Sequence, residues 1–156
     1  MQYAVTLGPL RVVVLDSTIP GEDAGRLDAP RLAWLDAVLA EEPAQPTLIA
    51  LHHPPLRTGS AAWDALGIPD AERRALAEVV ARHPQVRRIA GGHVHRPVVA
   101  ELAGRPVVSA PSTYLQARFD LLAQELDVVA DPAGFAVHLL LGDELVTHLH
   151  PLGSPV

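Results

Sequence analysis

Two stretches decide the reading: Thr47-Leu48-Ile49-Ala50-Leu51-His52-His53-Pro54-Pro55 and Val86-Arg87-Arg88-Ile89-Ala90-Gly91-Gly92-His93-Val94-His95. Each begins as a short apolar run of strand length and ends in a histidine pair flanked by Pro or Gly. Strand ends that open into loops are where α/β folds gather their reactive side chains. The Gly91-Gly92 pair allows a sharp turn and a close approach of backbone to a ligand. Two histidines one residue apart can serve one metal ion together or one ion each. Of the eight histidines, four lie in these two groups, and a metal site explains that concentration better than scattered surface imidazoles do.

Outward from these strands the pattern is β-α-β-α-β. Tyr3–Leu7 and Arg11–Asp16 read as strands about Gly8-Pro9. Asp28 reads as the cap of a helix with Pro30 in its first turn and Leu32, Leu35, Val38 and Leu39 at helical spacing. Pro43 and Pro46 end that helix before the first histidine strand. Residues Leu56 to Pro69 are irregular and long enough to suggest a functional loop. Asp70 reads as the cap of a second helix with Leu76, Val79 and Val80 on one face, stopped before Pro84. After His95 the expected strands are Pro97–Leu102, Pro106–Ser109, Phe135–Leu141 and Leu145–Leu149, joined by tight turns into a β-meander. The expectation is one mixed α/β domain over residues 1–156.

Composition narrows the chemistry. With 156 residues, 49% apolar and 19% charged, the chain is globular and sized for one core. Twelve basic against eighteen acidic residues, with no like-charged block, argue against a nucleic-acid polymer or an anionic membrane as partner. No basic segment followed by an apolar run opens the chain, so the expected location is cytoplasmic. Cysteine is absent, which removes disulfides, thiolate nucleophiles and Cys-held zinc. All twelve basic residues are Arg, and Asn is also absent, so no lysine Schiff base or Asn metal ligand can exist. No Gly-x-Ser-x-Gly elbow marks a serine hydrolase.

Leu51-His52-His53-Pro54-Pro55 and Gly92-His93-Val94-His95 resemble the last two motif blocks of the calcineurin-like metallophosphoesterases, and in particular of the class III cyclic nucleotide phosphodiesterases and related glycerophosphodiesterases. The likeness extends to Val14-Leu15-Asp16-Ser17-Thr18-Ile19-Pro20-Gly21, the Leu32–Leu39 helix and Pro106-Val107-Val108-Ser109-Ala110-Pro111. It implies the C-terminal half of an αββα sandwich, with a mixed sheet and two helices. It also implies a phosphodiesterase in which two metal ions, Mn, Fe, Zn or Co, activate a bridging hydroxide against a cyclic nucleotide or other small phosphodiester. Carried over by position, His52 and His93 would bind one metal and His95 the other, His52 being chosen because the family's ligand is the one followed by x-Pro. His53 and Arg96 would lie near the substrate.

Three blocks of that family have no counterpart: there is no Asp-x-His, no Gly-Asp-x-x-Asp and no Gly-Asn-His. The chain therefore resembles a truncated domain whose N-terminal metal-binding half is missing, so the two-metal site would be incomplete and the activity weak or lost. The alternative is a non-catalytic half-domain that binds metal weakly and self-associates. In either case exposed apolar sheet and an open edge predict a homodimer. Asp16 reads as a turn residue, and His138, His148 and His150 as solvent-facing positions of the late strands. Arg57 and the Ser109–Thr113 segment are further candidates for the substrate cleft.

Overall fold

The computed structural model describes residues 1–153. Strands β1 (Tyr3–Leu7), β2 (Leu10–Val14), β3 (Thr47–Ala50), β4 (Val86–Gly91), β5 (Val98–Leu102) and β6 (Arg105–Ser109) form one mixed sheet in the order β1-β2-β3-β4-β6-β5. The central β2, β3, β4 and β6 are parallel, and β1 and β5 close the two edges as antiparallel hairpin partners. Helices α1 (Ala29–Glu41) and α3 (Asp70–Arg82) make the crossovers β2-to-β3 and β3-to-β4, and they touch each other. A single turn, α2 (Ala61–Asp64), lies in the long loop between them.

Alternation along the strands settles which face is covered. Val13, Ile49, Ile89 and Val107 are neighbours across the sheet and fully buried. They form one core with Leu32, Leu35, Val38 and Leu39 of α1 and Leu76, Val79 and Val80 of α3. The caps differ between the helices. Asp28 accepts from the Arg31 N–H at 3.2 Å, as expected. Asp70 is already inside α3, with Pro69 before it, and its carboxylate pairs with Arg57 and Arg73 instead of capping.

The late strands do not run as one meander. β5 turns through Ala103 and Gly104, both at positive φ, and β6 then inserts beside β4 as its parallel neighbour. Val107, Val108 and Ser109 are buried because β6 is an interior strand, and that run of buried residues is what a strand covered on both faces looks like. Strands β9 (Gly134–Leu141) and β10 (Glu144–Pro151) form a separate ribbon that touches β4. A two-residue pair, β7 (Gln116–Ala117) with β8 (Val128–Val129), was not anticipated. Arg88 of β4 donates to the Leu145 carbonyl of the ribbon. His138 faces it half-buried, hydrogen-bonded to Thr147 at 2.8 Å, and burial followed by the Arg88 charge lowers its pKa. Of the three late histidines expected at the surface, His148 is exposed, whereas His138 and His150 are half-buried.

The sheet's other face is less covered. Tyr3, Val5 and Leu7 stand exposed on β1, opposite Val14, Val12 and Leu10, which are only half-buried. No helix among the described residues is long and apolar enough to cross a membrane.

Arg11 locks the helix layer to the sheet. It is 6% exposed, donates to the Val38 carbonyl at 2.8 Å and pairs with Glu41 at 2.6 Å. Arg11→Ala should lower unfolding stability by about 2–3 kcal/mol, because a charged donor and a buried acceptor are both lost. Glu41→Gln should cost under ~1 kcal/mol, since that carboxylate is largely exposed. Urea unfolding of the two variants checks both, and equal losses would show that the ion pair, not the buried carbonyl bond, carries the effect.

Candidate metal centre

The parallel pairing of β3 with β4 sets Ala50 beside Ala90, so the two histidine loops leave the sheet side by side. Leu51 N–H donates to the Ala90 carbonyl at 3.0 Å, and Gly92 N–H to the His52 carbonyl at 3.0 Å. Gly91 is where the loops cross. A Cβ there would stand 2.9 Å from Pro54 Cβ and 3.1 Å from the Leu51 carbonyl oxygen, closer than side-chain carbon tolerates.

Beyond Gly92 the chain alternates. His93 and His95 both adopt left-handed backbone, φ 60° and 49°, which costs non-glycine residues roughly 1–2 kcal/mol each. Val94 between them is buried at 5% exposure. The strain is held by the Gly92 carbonyl accepting from Ser109 Oγ at 3.0 Å and by Ala117 N–H donating to the His95 carbonyl at 3.2 Å. Ser109 therefore supports the histidine loop from below and does not line the cleft.

His52, His53 and His93 bring one ring nitrogen each within 4.8 Å of one another. His93 Nδ1 and His52 Nε2 are 3.3 Å apart. Two nitrogen ligands of a single ion, each at about 2.1 Å, stand about 3.0–3.4 Å apart in octahedral or tetrahedral geometry, so this pair has the spacing of a metal-binding pair. His93 Nε2 and His95 Nδ1 are buried with no hydrogen-bond partner among the described residues. An ion held by His93 Nδ1 leaves the proton on Nε2, a buried donor without a partner, whereas the buried His95 Nδ1 can offer a lone pair that a divalent ion would satisfy.

His53 is different. Its backbone N–H donates to Ser17 Oγ at 3.1 Å, the Ser17 hydroxyl reaches Nδ1 at 3.0 Å, and Nε2 meets the Asp23 carbonyl at 3.0 Å. Both ring nitrogens are engaged, the hydroxyl donating to Nδ1 and Nε2–H donating to the carbonyl. Gly25 closes over the ring, and a Cβ at that position would meet His53 Cγ at 2.6 Å. The geometry separates the adjacent histidines: His52 has a free nitrogen aimed at His93, while His53 braces the loop.

A cleft of about 390 Å³ joins these residues to Thr18, Glu22, Asp23, Trp63 and His95. Trp63 sits 5.8 Å from the His93 ring and 6.0 Å from the His95 ring. Asp16 makes the turn expected of it, accepting from Thr18 N–H at 3.0 Å and Thr18 Oγ1 at 2.7 Å. Arg96 is held outside the cleft: its Nε donates to the Ala117 carbonyl at 2.7 Å and its guanidinium pairs with Asp131 at 2.8 Å. Arg57 is likewise engaged, by Asp70. Sequence reasoning missed Trp63, Glu22 and Asp23, which lie in irregular segments where no periodicity marks an inward side chain. For Trp63 the length of its loop was the available signal.

No family model matches the chain. Among curated proteins it is 32% identical over 144 residues to the 3',5'-cyclic adenosine monophosphate phosphodiesterase of Escherichia coli, covering 92% of this chain and 51% of that one. It is 36% identical over 109 residues to a 3',5'-cyclic-nucleotide phosphodiesterase of Nostoc, covering 70% and 40%. It is 28% identical over 152 residues to a glycerophosphodiester phosphodiesterase of Enterobacter lignolyticus, covering 97% and 54%. The chain thus spans about half the length of the curated relatives it matches. Solved structures with its fold include a dimetal phosphatase from Danio rerio (TM-score 0.65, 17% identity, 96% of this chain and 57% of that one). A purple acid phosphatase from yellow lupin matches similarly (TM-score 0.65, 15% identity, 96% and 30%). Fold and cleft define a metallophosphoesterase-type α/β sheet with its histidine-bearing strand ends. The relatives and the fold bear out the resemblance to the calcineurin-like metallophosphoesterases.

Burial, then the neighbouring His53, His52 and His95, pushes the His93 pKa from 6.5 down to about 4. Between those values the unfolded chain binds a proton that the folded, metal-free chain refuses, so stability is full above pH 6.5 and is lost as pH falls toward 4. His93→Asn, which tolerates left-handed backbone, should flatten that slope by up to about 1.4 kcal/mol per pH unit. Chemical denaturation across this range checks it; an unchanged slope would place the linkage elsewhere.

Proposed function

We propose that this chain contributes the histidine side of a metal-dependent phosphodiesterase centre acting on a small phosphodiester, with a cyclic nucleotide as the favoured substrate class. The observation that carries it is the 3.3 Å approach of His52 Nε2 and His93 Nδ1, two nitrogens that converge on one point of a cleft. In this reading His52 and His93 hold one divalent ion and His95 a second, while His53 positions the loop through Ser17 and Asp23. The names of the curated relatives support the reaction class. Bound divalent ions there would supply water of lowered pKa and charge stabilisation for phosphoryl oxygens. The protein's own part is to hold neutral imidazoles in fixed positions, with Val94 buried beneath them, and to wall the cleft with Trp63. The close donor cluster contains imidazoles and no carboxylate, so ion affinity and turnover by the isolated chain are expected to be low.

Manganese binding followed by electron paramagnetic resonance, together with hydrolysis of bis(p-nitrophenyl) phosphate, tests this. His52→Ala and His93→Ala should each abolish manganese binding and any hydrolysis, and His53→Ala should weaken binding by about tenfold, as loss of a bracing partner does. Binding indifferent to His52→Ala or His93→Ala would defeat the proposal.

A second reading, self-association as a homodimer, is favoured by one feature: Tyr3, Val5 and Leu7 form an exposed apolar row on an edge strand. Val5→Lys should shift a dimer to monomer in sedimentation velocity, with the circular dichroism spectrum unchanged. A monomeric parent chain would remove this reading.

A further inference from the structure

β5 is a strand of five residues at the end of the sheet order, and its outer side is open. The hairpin to β6 fixes which backbone groups face outward. Leu102 and Arg105 close a two-residue turn, and Pro106, opposite Glu101, has no N–H to give. Bonding pairs alternate along an antiparallel ladder, so Leu102, Ala100 and Val98 bond to β6. Val99 and Glu101 therefore turn their N–H and C=O groups away from it. None of these outward groups has a backbone partner among the described residues. The edge also lacks the usual guards: no Lys, Pro or bulge falls within β5, and Val99 is 67% exposed.

A groove of about 430 Å³ lies along this edge on the helix side, between β5 and α3. Leu56, Ala100 and Leu102 give it an apolar floor, and Arg57, Arg73 and Arg74 line it as well. Asp70 pairs with both Arg57 and Arg73, the latter at 2.8 Å. Arg74 is exposed and makes no ion pair among the described residues. The Arg57 hydrogen bond, then the charges of Arg57, Arg73 and Arg74, hold Asp70 below the usual carboxylate range against the opposing effect of desolvation. Three guanidiniums thus share one carboxylate. Glu101 alternates with Ala100 and Leu102, so its side chain belongs to the opposite face, with Val99. In a chain of net charge −6 the groove is a local excess of positive charge.

We propose that the β5 edge and this groove bind an extended acidic peptide segment of a partner protein. The segment adds a strand beside β5 by bonding to Val99 and Glu101, and its acidic side chains on the helix side meet Arg57, Arg73 and Arg74. The open edge selects an extended backbone and the guanidiniums select negative charge. A free phosphate or a small carboxylate would use the guanidiniums and none of the strand's outward groups. A second copy of the chain fits worse, because an antiparallel β5–β5 pair would set two arginine groups on the same side of the joined sheet. The surface is independent of the metal-centre reading.

The probe is a fluorescein-labelled hexapeptide of alternating Glu and Val with blocked ends, titrated with the full chain and followed by fluorescence anisotropy. Saturable binding is expected, and the same peptide with Lys in place of Glu should not bind. Arg74→Ala should weaken binding about fivefold and Arg74→Glu about twentyfold, both at an exposed helix position. Val99→Pro removes an outward N–H without breaking a bond to β6, so it should abolish binding with the circular dichroism spectrum unchanged. Methylated peptides make the same test on unaltered protein. Methylating the Val nitrogens or the Glu nitrogens should abolish binding in one case only, since one set faces β5 and the other faces solvent. Absence of saturable binding, binding that survives both methylations, or binding indifferent to Arg74→Glu overturns the proposal. So does a dimer of the parent chain in sedimentation velocity that Val99→Pro dissociates, which would give the edge to a second copy.

Discussion

Everything in the cleft depends on the register between β3 and β4. Their parallel pairing places Ala50 opposite Ala90, and two backbone bonds past the sheet, Leu51 to Ala90 and His52 to Gly92, carry that register into the loops. Side chains on a strand alternate between faces, so a slip of β3 by one residue against β4 would turn Ile49 out of the core while Ile89 stayed in it. It would also separate His52 from His93. The large apolar core on the helix side thus enforces a polar contact that has little stability of its own. Gly91 lies at the centre of this arrangement, because the loops cross there at a distance only a hydrogen atom allows.

The site is preorganised at some expense. Two residues in left-handed backbone and two buried imidazole nitrogens without partners among the described residues are unfavourable. They persist because Val94 is buried and because Ser109, Ala117 and Ser17 hold the backbone on both sides. Such bracing is what distinguishes His53 from His52. The two neighbours have the same chemistry, yet one is satisfied by a hydroxyl and a carbonyl and the other is left facing a third imidazole.

That distinction also marks how far sequence reading reaches. The β-α-β-α-β frame was legible, since apolar runs of strand length and helical spacing of Leu and Val report burial directly. The histidine groups were legible as ends of those strands. The expectation of His52 over His53 came from a motif resemblance; the difference in their surroundings, with His53 held by Ser17 and Asp23, lies in contacts 36 and 30 residues apart that no local pattern encodes. The late strands were found and paired as the two hairpins the structure has, but they do not run on into one meander. Tight turns announce hairpins, but nothing local says that β6 will pair with β4 as well as with β5. Trp63 escaped notice for a similar reason, standing in a four-residue helix too short to show periodicity.

The relation between the two faces of the sheet gives the last constraint. On the helix side, Val13, Ile49, Ile89 and Val107 are sealed, and the Arg11 guanidinium ties that layer down. On the other side the β9–β10 ribbon reaches β4, while the β1–β2 end keeps Tyr3, Val5 and Leu7 exposed. The histidine loops rise from the strands between these extremes, anchored by the sealed face. Their geometry therefore owes little to what covers the open end of the sheet, and change at that edge should reach the cleft only weakly. Asymmetry of this kind keeps the histidine-bearing strand ends in place, because the sealed layer and those strand ends belong to the same β-α-β-α-β unit.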